Sequence, residues 1–543
     1  MYSLMITVKA IGTATLRSLS GTRNLPPLVI LVPALIVGSA LILPLVYLAI
    51  RTFATDESDV LELLFRQRVA AILARTVVLV VSVTIASTIL AVPLAWLTTR
   101  TDIPFRRAWV VLSVLPLVIP TYVAGFVVVA ALGPKGMLQK ALEGTFGIER
   151  LPDIHGFAGA FLTLTFLSFP YIVLTVRGAM LRIDPAMEES SRSLGRGKWS
   201  TFTYVTLPLL RPGITAGGLL VALYTLSDFG AVSLLRYETF TWAIFIQYES
   251  ALDRTLGAGL SLVLVVFALM VVGLEFVSRG RARYHSSTSS ISRPLEVVRL
   301  GRWRWVALFF CFSVVMVSLA IPMSVLGYWV VRGVSAGEPL NFAWASIGNS
   351  FYISALAATI VLIASLPLAT LSVRFPSPLS GLLERVGYIS FALPGIAVAL
   401  ALVFFGARYA SVLYQTTSLL LLAYLILYIS PALGSVRSSL LQISPRIEEA
   451  ARGLGNSPIR TFSSVTLPIA RPGLLAGWAL VFLLVMKELP ATLILSPVGF
   501  DTLATSIWSA ASEAFFARAA APALLLIAVS AIPLSFLMLR ERR

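Results

Sequence analysis

The chain has 543 residues, 58% of them hydrophobic and only 12% charged, with a mean hydropathy of +0.90. A soluble domain carries about 25% charged residues, so this composition describes a membrane protein. Two histidines and one cysteine exclude a clustered His/Cys metal site and a disulfide; Cys311 lies in an apolar run and reads as a packing residue, His155 and His285 as solvated side chains. The 42 Lys and Arg against 25 Asp and Glu give a net charge of +17, which in a soluble protein would suggest a nucleic acid partner and here poses a question of topology.

A spanning helix needs about 20 mostly apolar residues, and twelve stretches qualify in chain order: 28–50, 76–96, 108–132, 157–176, 213–235, 257–277, 305–331, 350–373, 386–407, 416–436, 473–495 and 519–539. No segment alternates polar and apolar as a barrel strand would. The fold class expected is an all-α membrane protein of twelve helices in two parallel six-helix repeats. An N-terminal segment 1–27 precedes the first domain, 28–277; a basic linker, 278–304, joins it to the second, 305–539, and a tail, 540–543, follows. With both termini in the cytoplasm, the inside segments collect 29 of the 42 basic residues, the distribution that the positive-inside rule requires. The excess positive charge is then a signal of orientation, reinforced by anionic lipid, and no nucleic acid is needed to explain it.

The halves repeat one another. Residues 188–214, EESSRSLGRGKWSTFTYVTLPLLRPGI, align without gaps to 448–474, EEAARGLGNSPIRTFSSVTLPIARPGL, with 14 of 27 identities at an offset of 260. Pro93 in AVPLA echoes Pro367 in SLPLA, and Leu115-Pro116 echoes Leu393-Pro394. Both copies of the matched loop, 183–212 and 437–472, fall on one side, so the duplication is parallel, about an axis along the membrane normal. In each loop Asp184 or Ser444 reads as an N-cap, Pro185 or Pro445 as the first helical residue, and Gly195 or Gly455 as a stop. Glu188, Glu189, Glu448 and Glu449 lie near the helix start. Leu207-Pro208 and Leu467-Pro468 are expected to end a second short helix ahead of the next span.

The spacing Glu, five residues, Gly, nine residues, aliphatic, one residue, Leu-Pro resembles the coupling-loop signature of the inner-membrane permease subunits of binding-protein-dependent ABC importers. Glu449-Ala450-Ala451, Gly455, Val465 and Leu467-Pro468 match it fully; Glu189-Ser190-Ser191, Gly195, Val205 and Leu207-Pro208 match with Ser at both Ala positions. The resemblance implies a type I importer permease in the cell inner membrane. It implies two copies of a separate ATPase seated under the paired helices, and a soluble binding protein delivering solute outside. The chain has no phosphate loop of its own, since Gly197-Lys198-Trp199 lacks the hydroxyl residue and the upstream Gly. No cofactor is then expected on this chain, ATP and Mg belonging to the partner.

Asp228 and Glu488, offset by 260 again, stand about 22 Å along their spans from the opening glycines. They read either as acids facing the translocation path or as a structural hydrogen-bonded pair, with Lys487 a neutralising neighbour for Glu488. Gly213 and Gly217, like Gly473 and Gly477, have the small-residue spacing that lets helices approach, and a gate across the pseudo-twofold would suit them. The outer segments 236–254 and 496–518 hold Phe240, Phe245, Phe500, Leu503, Ile507 and Trp508, as interfacial anchors or as a lid or docking surface for a solute-binding protein. The wording around Asp228 and Glu488 is similar to fused permeases of the ferric-iron uptake group, with thiamine, polyamine and phosphonate permeases as alternatives. A secondary transporter driven by an ion gradient is the rival from another class.

Overall fold

The structure, a computed structural model, describes residues 26–53, 67–251, 254–279, 297–338 and 344–540. Most of the N-terminal segment and the linker, His285, and residues 541–543 of the tail lie outside the described residues. The first half runs α1 (Leu28–Phe53), α2 (Gln67–Arg100), α3 (Arg106–Leu112), α4 (Thr121–Leu132), α5 (Phe157–Met180), α6 (Pro185–Ser193), α7 (Leu207–Ser227), α8 (Gly230–Leu234), α9 (Phe240–Ile246) and α10 (Arg254–Arg279). The second half repeats that order: α11 (Gly301–Ser335), α12 (Trp344–Arg374), α13 (Pro378–Ile389), α14 (Gly395–Tyr409), α15 (Thr417–Leu441), α16 (Pro445–Gly453), α17 (Leu467–Met486), α18 (Pro490–Leu495), α19 (Leu503–Ser512) and α20 (Phe516–Arg540). Each of these ten elements of the first half therefore has a counterpart ten places on; a further first-half helix, Met137–Phe146, has none.

Among the described residues ten helices are long and apolar enough to span a membrane, and α13 and α14, which meet at 108°, pass the same test only as a pair, as a broken span or a re-entrant loop. The twelfth expected span, 519–539, falls within α20, whose apolar stretch is described as far as Ile532. The expected spans 108–132 and 386–407 are not straight. Each breaks at a proline, Pro120 and Pro394, whose preceding residues, Ile119 and Leu393, are extended (ψ 119° and 123°). A proline disfavours the helical conformation in the residue before it, so the break is encoded locally. It also corrects the internal alignment: Ile119-Pro120, not Leu115-Pro116, corresponds to Leu393-Pro394. The offset is 274 up to this point and 260 beyond it. The extra residues of the first half form the α4 to α5 connection, including the helix Met137–Phe146.

The two halves are interlocked. α1 packs on α12, α13 and α14, and α11 packs on α2 and α4, so each first helix leans on the opposite half. Gly38 lets Leu383 of α13 approach the α1 backbone closely. The other face of α1 shows Leu28, Val32, Ile36, Val46 and Ile50 exposed, a stripe with no described residue covering it and the chemistry of lipid. Cys311 is fully buried, as a packing residue should be.

The expected second short helix in each loop does not end at Leu-Pro. Lys198–Thr201 and Pro458–Thr461 run through π turns, Phe202–Thr206 and Phe462–Thr466, directly into α7 and α17. The wider turn accommodates Pro208 and Pro468, which have no N–H to give and would crowd a regular helical turn. One continuous helix, Trp199–Ser227 or Pro458–Met486, then leaves the coupling loop and enters the bundle.

Candidate functional site

The two coupling segments share a local grammar. α6 and α16 both begin at a proline and both carry an acid in the first turn, where a negative charge meets the helix dipole favourably. Asp184 caps α6 by accepting from the Ala186 N–H at 3.0 Å, while Ser444 takes the capping conformation without a side-chain bond. Gly195 (φ +84°) and Gly455 (φ +86°) end the helices in the left-handed region, and a Cβ at either would touch nothing. The glycines are needed for backbone conformation alone.

The consecutive acids of each helix have different surroundings. Glu189 and Glu449 are exposed. Glu188 turns inward, accepting from Thr206 Oγ1 at 2.9 Å and pairing with Arg100 at 3.3 Å. Glu448 does the same with Thr466 at 3.0 Å and Arg374 at 2.9 Å. Arg100 and Arg374 are the last residues of α2 and α12, and Thr206 and Thr466 the last of the π turns. Each clamp thus fastens a coupling helix to the base of two spans. Arg374 also donates to the carbonyls of Leu440 and Ile443 at the end of α15. The Ser-for-Ala departure has a partner: buried Ser191 lies 3.2 Å from the Thr201 hydroxyl, whereas at buried Ala451 the corresponding Thr461 hydroxyl has no described bond.

A strap reinforces the first clamp. Val298, at the end of the linker, forms a parallel bridge with Thr101, its N–H donating to the Arg100 carbonyl at 2.8 Å. The Leu300 N–H donates to Asp102 Oδ1 at 2.9 Å.

At the opposite end of α7 and α17 both helices stop, at Ser227 and Met486, short of the expected span ends. A helix break inside a bundle leaves N–H groups that must be satisfied by protein, and the two acids do this. Asp228 is 6% exposed, and its Oδ2 accepts from the N–H groups of Ala231 and Val232 at 3.1 and 3.3 Å. Glu488 Oε1 accepts from the Ala491 N–H at 3.1 Å, and its Oε2 accepts from the Tyr428 hydroxyl. Bulk is exchanged around the pair. Thr121 bonds to Asp228, and its counterpart Gly395 leaves the room that the longer Glu488 fills, a Cβ there standing 2.9 Å from Oε1.

Residues 87–278 and 362–543 both match the profile of the family described as binding-protein-dependent transport system inner membrane component. The chain belongs to this family. The permease is 36% identical over 516 residues, 94% of its own length and 98% of the relative's, to the Fe(3+)-transport system permease protein FbpB 2 of Haemophilus influenzae. It is 24% identical to the ferric transport system permease protein FbpB of Actinobacillus pleuropneumoniae, over 82% of this chain and 67% of that one. Over 198 residues, 35% of the chain and 85% of the relative, it is 32% identical to the molybdenum transport system permease protein ModB of Escherichia coli. Membership makes this chain a multi-pass membrane component of a transport system, implying a solute-binding protein and an ATPase.

The permease departs from several expectations. Its small-residue faces do not meet across the pseudo-twofold. Gly213 and Gly217 lie against Ala179, Thr175 and Ile172 of α5, and Gly473 and Gly477 against Ser439 and Ser435 of α15, each within its own half. Ser435 Oγ donates to the Gly473 carbonyl at 2.7 Å, fixing that contact. Lys487 is within electrostatic reach of Glu488, as a neutralising neighbour should be, while its Nζ bonds to the Leu117 carbonyl of the first half at 3.0 Å. The outer segments are neither anchors nor an open lid. Phe240, Phe245, Leu503 and Ile507 are buried, and Trp508 sits 6.0 and 5.8 Å from the rings of Phe229 and Phe245, joining the halves. His155 is held by Asp153 at 2.5 Å. Among the described residues no three His, Cys, Asp or Glu gather as a metal site.

Sequence reasoning missed Arg100, Arg374, Thr206, Thr466 and Tyr428. The threonines were within reach, lying in the matched loop at the same offset as the glutamates. The arginines belong to spans whose offset differs, so an alignment of the loop alone could not pair them.

Proposed function

We propose that this permease imports ferric iron, handed over by a soluble binding protein on the outer side and released to the cytoplasm by alternating access. Two copies of a separate ATPase drive the cycle, one beneath α6 and one beneath α16. Both termini and both coupling helices are cytoplasmic, in keeping with the positive residues gathered at that end. The chain carries no ATP site and acts as the moving part alone. Glu189, Glu449 and Ala450 are exposed and face the ATPase, while Glu188, Glu448, Ser191, Ala451, Leu207-Pro208 and Leu467-Pro468 fix each helix to the spans behind it.

The observation that carries this reading is the duplicated clamp: an exposed helix fastened by charge to two spans, occurring twice, is built to receive a push from a partner and pass it on. Iron as cargo rests on the full-length likeness to permeases named for Fe(3+) transport. The test is co-expression with the candidate ATPase and uptake of radioactive iron into vesicles containing loaded binding protein. The ATPase should copurify with the wild type and be lost when Gly195→Pro and Gly455→Pro are combined. Iron uptake that continues without the ATPase would overturn the assignment.

A further inference from the structure

The polar machinery of this permease divides into a part that repeats and a part that does not. Clamps, glycine stops and helix-break acids occur in both halves. Five tyrosines of α4, α5, α7 and α15 occur once each: Tyr122, Tyr171, Tyr224 and Tyr428 stand opposite Ile396, Pro431, Leu484 and Ser168, and Tyr424 opposite Leu164. They converge where the halves meet. The rings of Tyr171 and Tyr224 are 5.4 Å apart and those of Tyr424 and Tyr428 6.4 Å. Tyr428 is within electrostatic reach of Tyr171 across the interface, and Tyr224 of Asp228. The Tyr428 hydroxyl bonds to Glu488, and Tyr424 to Thr492 at 2.7 Å.

Two features distinguish this cluster from ordinary packing. Tyr171, Tyr224, Tyr428 and Glu488 are only partly buried although they belong to helices deep in the bundle. Tyr122, 1% exposed and within electrostatic reach of Glu488, has a hydroxyl with no described hydrogen-bond partner. Several buried hydroxyls among the described residues are unbonded; that of Tyr122 lies near Glu488, where its oxygen is free to take a ligand.

We propose that Tyr122, Tyr171, Tyr224, Tyr428 and Glu488 form a transit site for a hard, trivalent, oxygen-seeking cation at the interface of the two halves. Phenol and carboxyl oxygens are the donors such a cation prefers over imidazole or thiolate. The set crosses the interface, so movement of the halves would separate Tyr171 and Tyr224 from Tyr428 and Glu488 and release the ion. The site rests on the reading of ferric iron as cargo.

The test uses the permease with its ATPase in lipid nanodiscs, with ferric nitrilotriacetate as probe. The expected result is a visible phenolate-to-iron charge-transfer band in the wild type, lost in Tyr428→Phe and weakened in Tyr171→Phe and Tyr224→Phe. In proteoliposomes with binding protein, Tyr428→Phe should lower iron uptake per ATP hydrolysed at least about tenfold, since losing even an outer-shell partner of a metal ligand costs about that much. ATP hydrolysis should persist. Tyr171→Phe and Tyr224→Phe remove hydroxyls with no described hydrogen bond, so they keep the test open if Tyr428→Phe does not fold. Iron uptake per ATP equal to wild type in these variants, with no visible band, overturns the site and leaves the cargo reading standing. A wild type that hydrolyses ATP and transports no iron overturns both.

Discussion

Glu188 is held 3.3 Å from Arg100, and the same pair recurs in the second half as Glu448 and Arg374 at 2.9 Å. The arginines close α2 and α12 and the glutamates open α6 and α16. An interaction within one chain therefore joins the segment that faces a partner to the spans that must move.

The clamps should differ in strength. Arg100 is 3% exposed and Glu188 is its described side-chain partner, whereas Arg374 has two backbone carbonyls besides Glu448. Glu188→Gln leaves a buried cation with little compensation and should cost about 2–3 kcal/mol, and Glu448→Gln about 1 kcal/mol. Thermal or denaturant unfolding of the two variants in one detergent checks the order. Equal costs would mean that the clamps are interchangeable.

Gly195 and Gly455 have room for a side chain but the wrong φ for one. Replacing either by Ala should cost about 1–2 kcal/mol through backbone strain alone, and replacement by Asn less, because Asn tolerates this region. Retention of the ATPase on an affinity column should follow the order Gly, Asn, Ala, Pro. An Ala variant that retains the ATPase as well as Asn does would show that the helix stop is not required.

Glu488 and Gly395 should be coupled. Gly395→Thr places a side chain where Oε1 now stands and should destabilise the permease. Adding Glu488→Asp recreates the arrangement of Thr121 with Asp228 and should recover about 1 kcal/mol or more in a double-mutant cycle. Additive effects would refute the exchange of bulk. Asp228→Ala should cost about 1–2 kcal/mol as a lost helix cap, visible as a lower melting temperature.

Orientation is open to direct labelling. Ser457 is exposed beside α16, and Cys311 is buried and replaceable by Ala. A single cysteine at position 457 should react with an impermeant maleimide only in inverted vesicles. Reaction from the outside of intact cells would reverse the whole topology.

Much of this protein is legible in the one-dimensional string because its constraints are local or periodic. Apolar runs of sufficient length locate the spans, a gapless repeat at an offset of 260 locates the coupling helices, and glycine and proline mark their ends. The asymmetry of positive charge suffices for a statement about sides. Tertiary structure decided what depends on residues far apart in the chain. The spans containing Pro120 and Pro394 break rather than cross straight. The π turns carry Leu207-Pro208 and Leu467-Pro468 into longer helices, and the glycine faces pack within their own halves. Glu188 meets Arg100 from 88 residues away, and Tyr428 comes within electrostatic reach of Tyr171. Pairings of that kind leave no period and no shared offset in the sequence, because only the packing of helices against one another brings their side chains together.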